Sequence, residues 1–272
     1  MDRRPIGIFD SGIGGLTVLH EVGQLLPNER LVYLGDTARV PYGTKSPETV
    51  TRYSIENTRF LMSKDVKAVV VACNTASAAS VDALRAEFDV PVLGVIEAGV
   101  EEALSRSVEW RIGVIGTQAT VLSGKYESLL RAKGAAEVVS AACPLFVPLA
   151  EEGWTDNKVA EEVARIYLQP FLGGAVDTLI LGCTHYPLLQ GVIGKVCGPE
   201  VRLVNSAHAI AVKLRDQLQS GRIENNTGPG DREYFFTDSA ERAGAVGSRF
   251  LGENLDNRIQ LVDLTPFESG KP

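Results

Sequence analysis

Two cysteines are set apart by what surrounds them. Cys73 lies in Ala72-Cys73-Asn74-Thr75-Ala76-Ser77, directly after the apolar run Ala68–Ala72. Cys183 lies in Gly182-Cys183-Thr184-His185-Tyr186-Pro187, directly after Thr178–Leu181. A thiol at a strand end that opens a helix meets the positive field of the helix N-terminus. That position is expected to lower the Cys73 pKa from about 8.5 toward neutrality. His185, two residues beyond Cys183, can polarise that thiol or share its proton. The spacing is not that of a zinc site, since the other histidines are His20 and His208, and no CxxC redox motif occurs. Taken singly, each thiol has a bland account. Cysteine is often a small buried hydrophobe, and Asn74 and Thr75 suit helix capping. Cys143 and Cys197 lack a comparable setting and read as structural.

Other chemistry-bearing residues sit at the ends of apolar runs. Asp10-Ser11-Gly12-Ile13-Gly14-Gly15-Leu16 follows the first run and precedes a helical stretch. A phosphate cradle is a possible use of such a loop. However, Thr17 stands where a dinucleotide fingerprint requires Gly, no Gly-Lys-Ser/Thr follows, and an acid opening the loop would repel phosphate. Asp10 reads better as a partner for an ammonium group or as a base near Cys73, with helix capping as the bland account. Pro41-Tyr42-Gly43-Thr44 and Gly116-Thr117-Gln118-Ala119-Thr120 offer hydroxyls and backbone N–H groups for carboxylates. Glu151 and Glu152 suit acid/base work near Cys183, although such pairs are commonly a solvated turn.

The elements that must position these groups alternate. Strand candidates are Pro5–Phe9, Leu31–Leu34, Ala68–Ala72, Val92–Ile96, Arg111–Ile115, Glu137–Ser140, Thr178–Leu181 and Arg202–Val204. Most are apolar on successive residues, as buried parallel strands are. Helical stretches such as Pro47–Ser63, Ser77–Glu87 and Asn157–Leu172 separate them. The alternation predicts an α/β architecture with parallel sheets. The chain also repeats itself. Ile6–Ser11 resembles Ile112–Thr117, and Val66–Thr75 resembles Val176–His185, in the same order and at nearly the same spacing. We therefore expect two pseudo-symmetric Rossmann-like units, each with a Cys just past its third strand. Ligands bind at such strand ends, so Cys73 and Cys183 should face each other across a cleft. After a helix from Ala207 and a turn-rich segment, Ser220–Asp231, a strand (Tyr234–Thr237), a helix (Ser239–Leu251) and a last strand (Arg258–Val262) follow. Periodicity does not say which unit they join.

The bulk properties narrow the function. The 272 residues allow one large domain or two ordinary ones, with 44% hydrophobic and 22% charged residues. A net charge of −7 without a basic stripe argues against nucleic acid. No stretch approaches a membrane span, and the lead before the first strand has no apolar signal segment. Four sparse cysteines suit a reducing cytoplasm rather than a disulfide framework.

Together these motifs resemble glutamate racemases, within the cofactor-independent aspartate/glutamate racemase superfamily. The match runs in family order from about Ile6 to Ser206. The resemblance implies that Cys73 and Cys183 are the proton-transfer residues, with Asp10 supporting Cys73 and with His185 and Glu151 supporting Cys183. It implies that Asp10, Ser11, Tyr42, Gly43, Asn74, Thr75, Thr117, Thr120, Thr184 and His185 hold L- or D-glutamate. It places residues 1–97 plus 208–272 in one α/β domain and 98–207 in an inserted second one. It further implies a cytoplasmic enzyme with no cofactor or metal, supplying D-glutamate for peptidoglycan, and leaves a homodimer open. Some members are activated by a cell-wall precursor, often through an N-terminal extension. Few residues precede the first strand here, and that regulation is not expected.

Two thiols suit racemisation because a proton must leave one face of Cα and another must arrive on the opposite face. The rivals are an aspartate racemase of the same superfamily, a two-lobed solute-binding protein without catalysis, and a thiol oxidoreductase cycling through a disulfide.

Overall fold

A computed structural model of the chain describes residues 2–221, 223, 230–255 and 257–268. Its strands are β1 (Ile6–Asp10), β2 (Leu31–Gly35), β3 (Ala68–Val71), β4 (Val92–Gly94), β5 (Arg111–Gly116), β6 (Glu137–Ala142), β7 (Thr178–Gly182), β8 (Arg202–Asn205), β9 (Arg232–Phe236) and β10 (Ile259–Leu261). Its helices are α1 (Leu16–Leu25), α2 (Pro47–Ser63), α3 (Asn74–Glu87), α4 (Val95–Arg106), α5 (Gln118–Leu122), α6 (Lys125–Ala132), α7 (Phe146–Glu151), α8 (Lys158–Leu168), α9 (Gln190–Cys197), α10 (Ser206–Gln219) and α11 (Ala240–Leu251).

The apolar runs form two sheets, ordered β10-β9-β2-β1-β3-β4 and β6-β5-β7-β8, and every pairing is parallel. Continuous apolar sequence is what a strand covered on both faces requires, and β1, β2, β3 and β7 are buried throughout. Full burial of each Val, Leu or Ile contributes about 1.5–3 kcal/mol, so these central strands anchor the fold. The order β2-β1-β3-β4 is repeated as β6-β5-β7-β8. The sequence repeat is thus a repeat of topology, with β3 and β7 in equivalent places.

The C-terminal strands complete the first sheet. β9 pairs with β2, from Leu31↔Arg232 to Gly35↔Phe236, and β10 lies outside β9. The turn-rich segment at Ser220–Asp231 falls largely outside the described residues. Helix α10 packs on both α1 and α4.

Most strand ends shift by one or two residues from the sequence reading, and three of the boundary differences have a clear local reason. Val92–Ile96 is strand only to Gly94, where pairing with Val71 ends, and Val95 opens α4. Asn157–Leu172 is α-helical only over Lys158–Leu168 and tightens to a 3₁₀ turn at Gln169–Phe171, because Pro170 cannot donate a helical hydrogen bond. Helix α3 begins at Asn74 rather than Ser77, which makes Cys73 itself the N-cap residue.

Candidate active site

The C-terminal ends of β1, β3, β5 and β7 converge on a cavity of about 620 Å³. Cys73 and Cys183 both line it. So do Ser11, Tyr42, Gly43, Asn74, Thr75, Thr117, Glu151, Thr184 and His185. Asp10 and Thr120 do not, being buried behind its wall.

On the Cys73 side, the thiol donates toward Ser11 Oγ at 3.6 Å, and the Ala76 N–H donates to Sγ at 3.5 Å. The helix N-terminus therefore meets the sulfur as the sequence suggests. Yet the thiol pKa moves up to about 12, opposite to the sequence expectation. Burial is the larger cause and the nearby Asp10 carboxylate the second, and together they outweigh the two hydrogen bonds. Asp10 is itself raised by burial, against the pull of His185 and the neighbouring N–H groups. Its Oδ2 accepts from the Gly12 N–H at 2.9 Å, which closes the loop, and it does not cap α1, whose N-cap residue is Gly15.

On the Cys183 side, Sγ lies 3.8 Å from His185 Nδ1, and His185 Nε2 lies 3.1 Å from Glu151 Oε1. Burial alone would push His185 down. Its hydrogen bonds with Cys183 and Glu151 overturn that and push it up to about 10, which favours the imidazolium form. Glu151 is correspondingly held below the usual carboxylate range, with His185 the main cause. The acidic pair is thus divided: Glu151 serves this chain of contacts, while Glu152 is exposed. An imidazolium beside Sγ stabilises negative charge as it develops there.

Close backbone approach makes this arrangement possible. A Cβ added at Gly14 would lie 2.3 Å from Thr184 Oγ1 and 2.5 Å from the His185 ring, so only Gly fits where the two sheets' loops meet. The Thr17 hydroxyl binds the carbonyls of Gly14 and Thr184, both at 2.9 Å, fixing the same junction.

A cluster of hydroxyls runs from the cavity wall to the residue behind it. Thr75, Thr117 and Thr120 form a triangle of hydroxyls 2.9–3.2 Å apart that joins the two sheets. Tyr42 lines the cavity, but its hydroxyl turns inward to Asp36 and accepts from Asn57 Nδ2 at 3.1 Å. Cys143 is buried away from the cavity, and the described cysteines are all free thiols. Among the described residues, no group of three or more His, Cys, Asp or Glu is arranged to hold a metal ion. No described helix is long and apolar enough to cross a membrane.

The sequence reading missed one wall altogether. Arg242 and Ala243 of α11, with Ser239 before it, line the cavity from the C-terminal segment. Arg242 Nη2 donates to Glu151 Oε2 at 2.8 Å, Arg249 donates to the Glu151 carbonyl, and Phe250 stands edge-on to His185 at 5.1 Å. The available signal was the seven-residue spacing of Arg242 and Arg249, which puts both on one helix face. Val147 and Pro148 of α7 supply an apolar wall that sequence alone did not mark.

A family model described as Asp/Glu/Hydantoin racemase matches residues 14–214. The chain is 52% identical over 263 residues to the glutamate racemase of Geobacter metallireducens, covering 96% of this chain and 97% of that one. Its fold superimposes on a glutamate racemase isoform of Bacillus anthracis with a TM-score of 0.92, at 38% identity, over 97% of this chain and 99% of that one. It also resembles the Francisella tularensis glutamate racemase in complex with D-glutamate, with a TM-score of 0.88 and 36% identity, over 98% of this chain and all of that one.

Proposed function

The chain belongs to the Asp/Glu/Hydantoin racemase family, and from that premise we propose that it interconverts L- and D-glutamate by proton transfer between two thiols. One observation carries the reading: two cysteines at equivalent strand ends of two topologically matched sheets line one cavity. In one direction, one sulfur as thiolate takes the Cα proton and becomes a thiol. The opposite thiol gives its proton to the other face and becomes a thiolate. The reverse direction exchanges the roles, and no electrons are gained or lost.

The intermediate is rich in negative charge, so donors must be in place before it forms. Asn74, Thr75, Thr117 and Thr184 are of the right type, and Ser11 and the backbone at Tyr42 and Gly43 complete the ring of polar groups. Asp10 acts from behind Cys73, and His185 with Glu151 acts on Cys183. The substrate is a small dicarboxylate amino acid. In this reading residues 1–97 plus 208–272 form one domain and 98–207 the other, the reaction needs no cofactor, and the enzyme works in the cytoplasm to supply D-glutamate for peptidoglycan.

The test is circular dichroism of L- and of D-glutamate incubated with pure protein and no added cofactor. The signal should decay toward zero from either enantiomer. Decay with aspartate but not glutamate would reassign the substrate. No change with either amino acid would overturn the reading.

A further inference from the structure

Tyr126 of α6 is 3% exposed and does not line the cavity. It nevertheless touches the residues beside both thiols. Its hydroxyl donates to Asn74 Oδ1 at 2.7 Å, and Asn74 directly follows Cys73. Its ring lies against Gly182, which directly precedes Cys183: a Cβ there would meet Tyr126 Cε2 at 3.2 Å. The ring also faces Gly99 of α4, so small residues on two elements make room for it.

The Asn74 amide has a second end. Asn74 is 2% exposed and lines the cavity, and its Nδ2 is buried with no hydrogen-bond partner among the described residues. An unpaired buried donor costs about 1–3 kcal/mol, so such a group implies a ligand that completes it. An asparagine amide can face either way. If Oδ1 faced the cavity it would repel a carboxylate, whereas Nδ2 attracts one.

We infer that Tyr126 is a positioning residue, whose hydroxyl, by holding Asn74 Oδ1, turns Asn74 Nδ2 into the cavity as a donor for a substrate carboxylate or the charge developing beside Cα. It belongs to the α6 side of the cleft and acts on a residue of the Cys73 side, so it also ties the two thiol-bearing strand ends to one another. Burial pushes its phenol well above the ordinary range, so it remains a donor throughout the working pH. The inference rests on the racemase reading above.

A double-mutant cycle on glutamate racemisation tests it, with wild type, Tyr126→Phe, Asn74→Ala and the double variant. Tyr126→Phe keeps the ring and should lower kcat/KM about 5–30-fold, as loss of one oriented hydrogen bond does. In the Asn74→Ala background the same change should alter kcat/KM less than twofold. Asn74→Asp keeps the acceptor for Tyr126 but replaces the donor, and should lose at least that much activity without a fall in Tm. This arm holds even where Tyr126→Phe folds poorly. Wild-type kinetics in Tyr126→Phe, equal losses in both backgrounds, or full activity in Asn74→Asp would each overturn the inference. A wild-type protein that does not racemise glutamate would overturn the racemase reading instead, before any variant is compared.

Discussion

Replacing Glu151 by Gln removes the second of the two groups that raise His185, after Cys183, together with the ion pair to Arg242. Gln keeps an oxygen that can accept from Nε2, so the 3.1 Å contact and the ring position should survive while the carboxylate charge is lost. A hydrogen bond to a charged group contributes about 1.5–3 kcal/mol, and each pKa unit corresponds to about 1.36 kcal/mol. The His185 midpoint should therefore fall from about 10 by roughly 1–2 units, the remainder being held by Cys183. The chain has three histidines, so an NMR titration of the ring resonances, assigned with His185→Asn, can follow this one. The linkage has a definite sign. A histidine raised from about 6.5 to about 10 on folding stabilises the protein fully below pH 6.5. That contribution is lost as pH rises through 10. Wild-type stability should fall between pH 6.5 and 8.5, a window below ordinary thiol titration, and Glu151→Gln should show lower stability at pH 6.5 with the loss complete at lower pH. A wild-type midpoint below 7.5, or an unchanged midpoint in Glu151→Gln, would refute the reasoning.

Other outcomes follow from the same geometry. Cys73→Ala and Cys183→Ala should each reduce racemisation more than about 10³-fold while leaving the far-UV circular dichroism of the fold intact; near-normal turnover in either variant would rule out the two-thiol mechanism. Gly14→Ala, which drives a methyl into Thr184 and the His185 ring, should cost about 1–3 kcal/mol in urea denaturation and lower kcat, and unchanged values of both would show that the loops yield freely. Cys73, whose thiol burial and Asp10 push up to about 12 in the substrate-free cavity, should react with iodoacetamide at a rate that still climbs above pH 9.5; a plateau near pH 8.5 would contradict the burial argument. In D₂O, early D-glutamate formed from the L-enantiomer should carry deuterium at Cα while remaining substrate stays protiated, and equal labelling of both pools by mass spectrometry would indicate one base rather than two.

Much of this was legible in sequence because the relevant signals are local. Unbroken apolar runs mark strands covered on both faces, and β1, β3, β5 and β7 end beside the motifs that their sequences announce. The pseudo-repeat made the two thiols interpretable as a pair. What escaped depends on groups distant in sequence. Arg242 reaches Glu151, and Tyr126 reaches Asn74, only because separate elements meet in space. The Cys73 pKa shows a second kind of failure: helix position can be read from sequence, but the depth of burial that reverses its effect cannot. The inward turn of the Tyr42 hydroxyl belongs to the same class, since its partners Asp36 and Asn57 carry no motif.

The nesting of one sheet inside the other also imposes a timetable on synthesis. Strands β5 to β8 are made in one stretch, so the four-stranded sheet has all its partners by Asn205. The six-stranded sheet does not. Strand β2, entirely buried in the finished protein, awaits β9, whose Arg232 pairs with Leu31. At about 5–20 residues per second, that wait on the ribosome is roughly 10–40 s. Throughout it the apolar Leu31–Gly35 presents an open edge, the kind of surface that recruits other chains. Release of the nascent chain before Phe236 should therefore yield a product whose second half is ordered and whose first half aggregates.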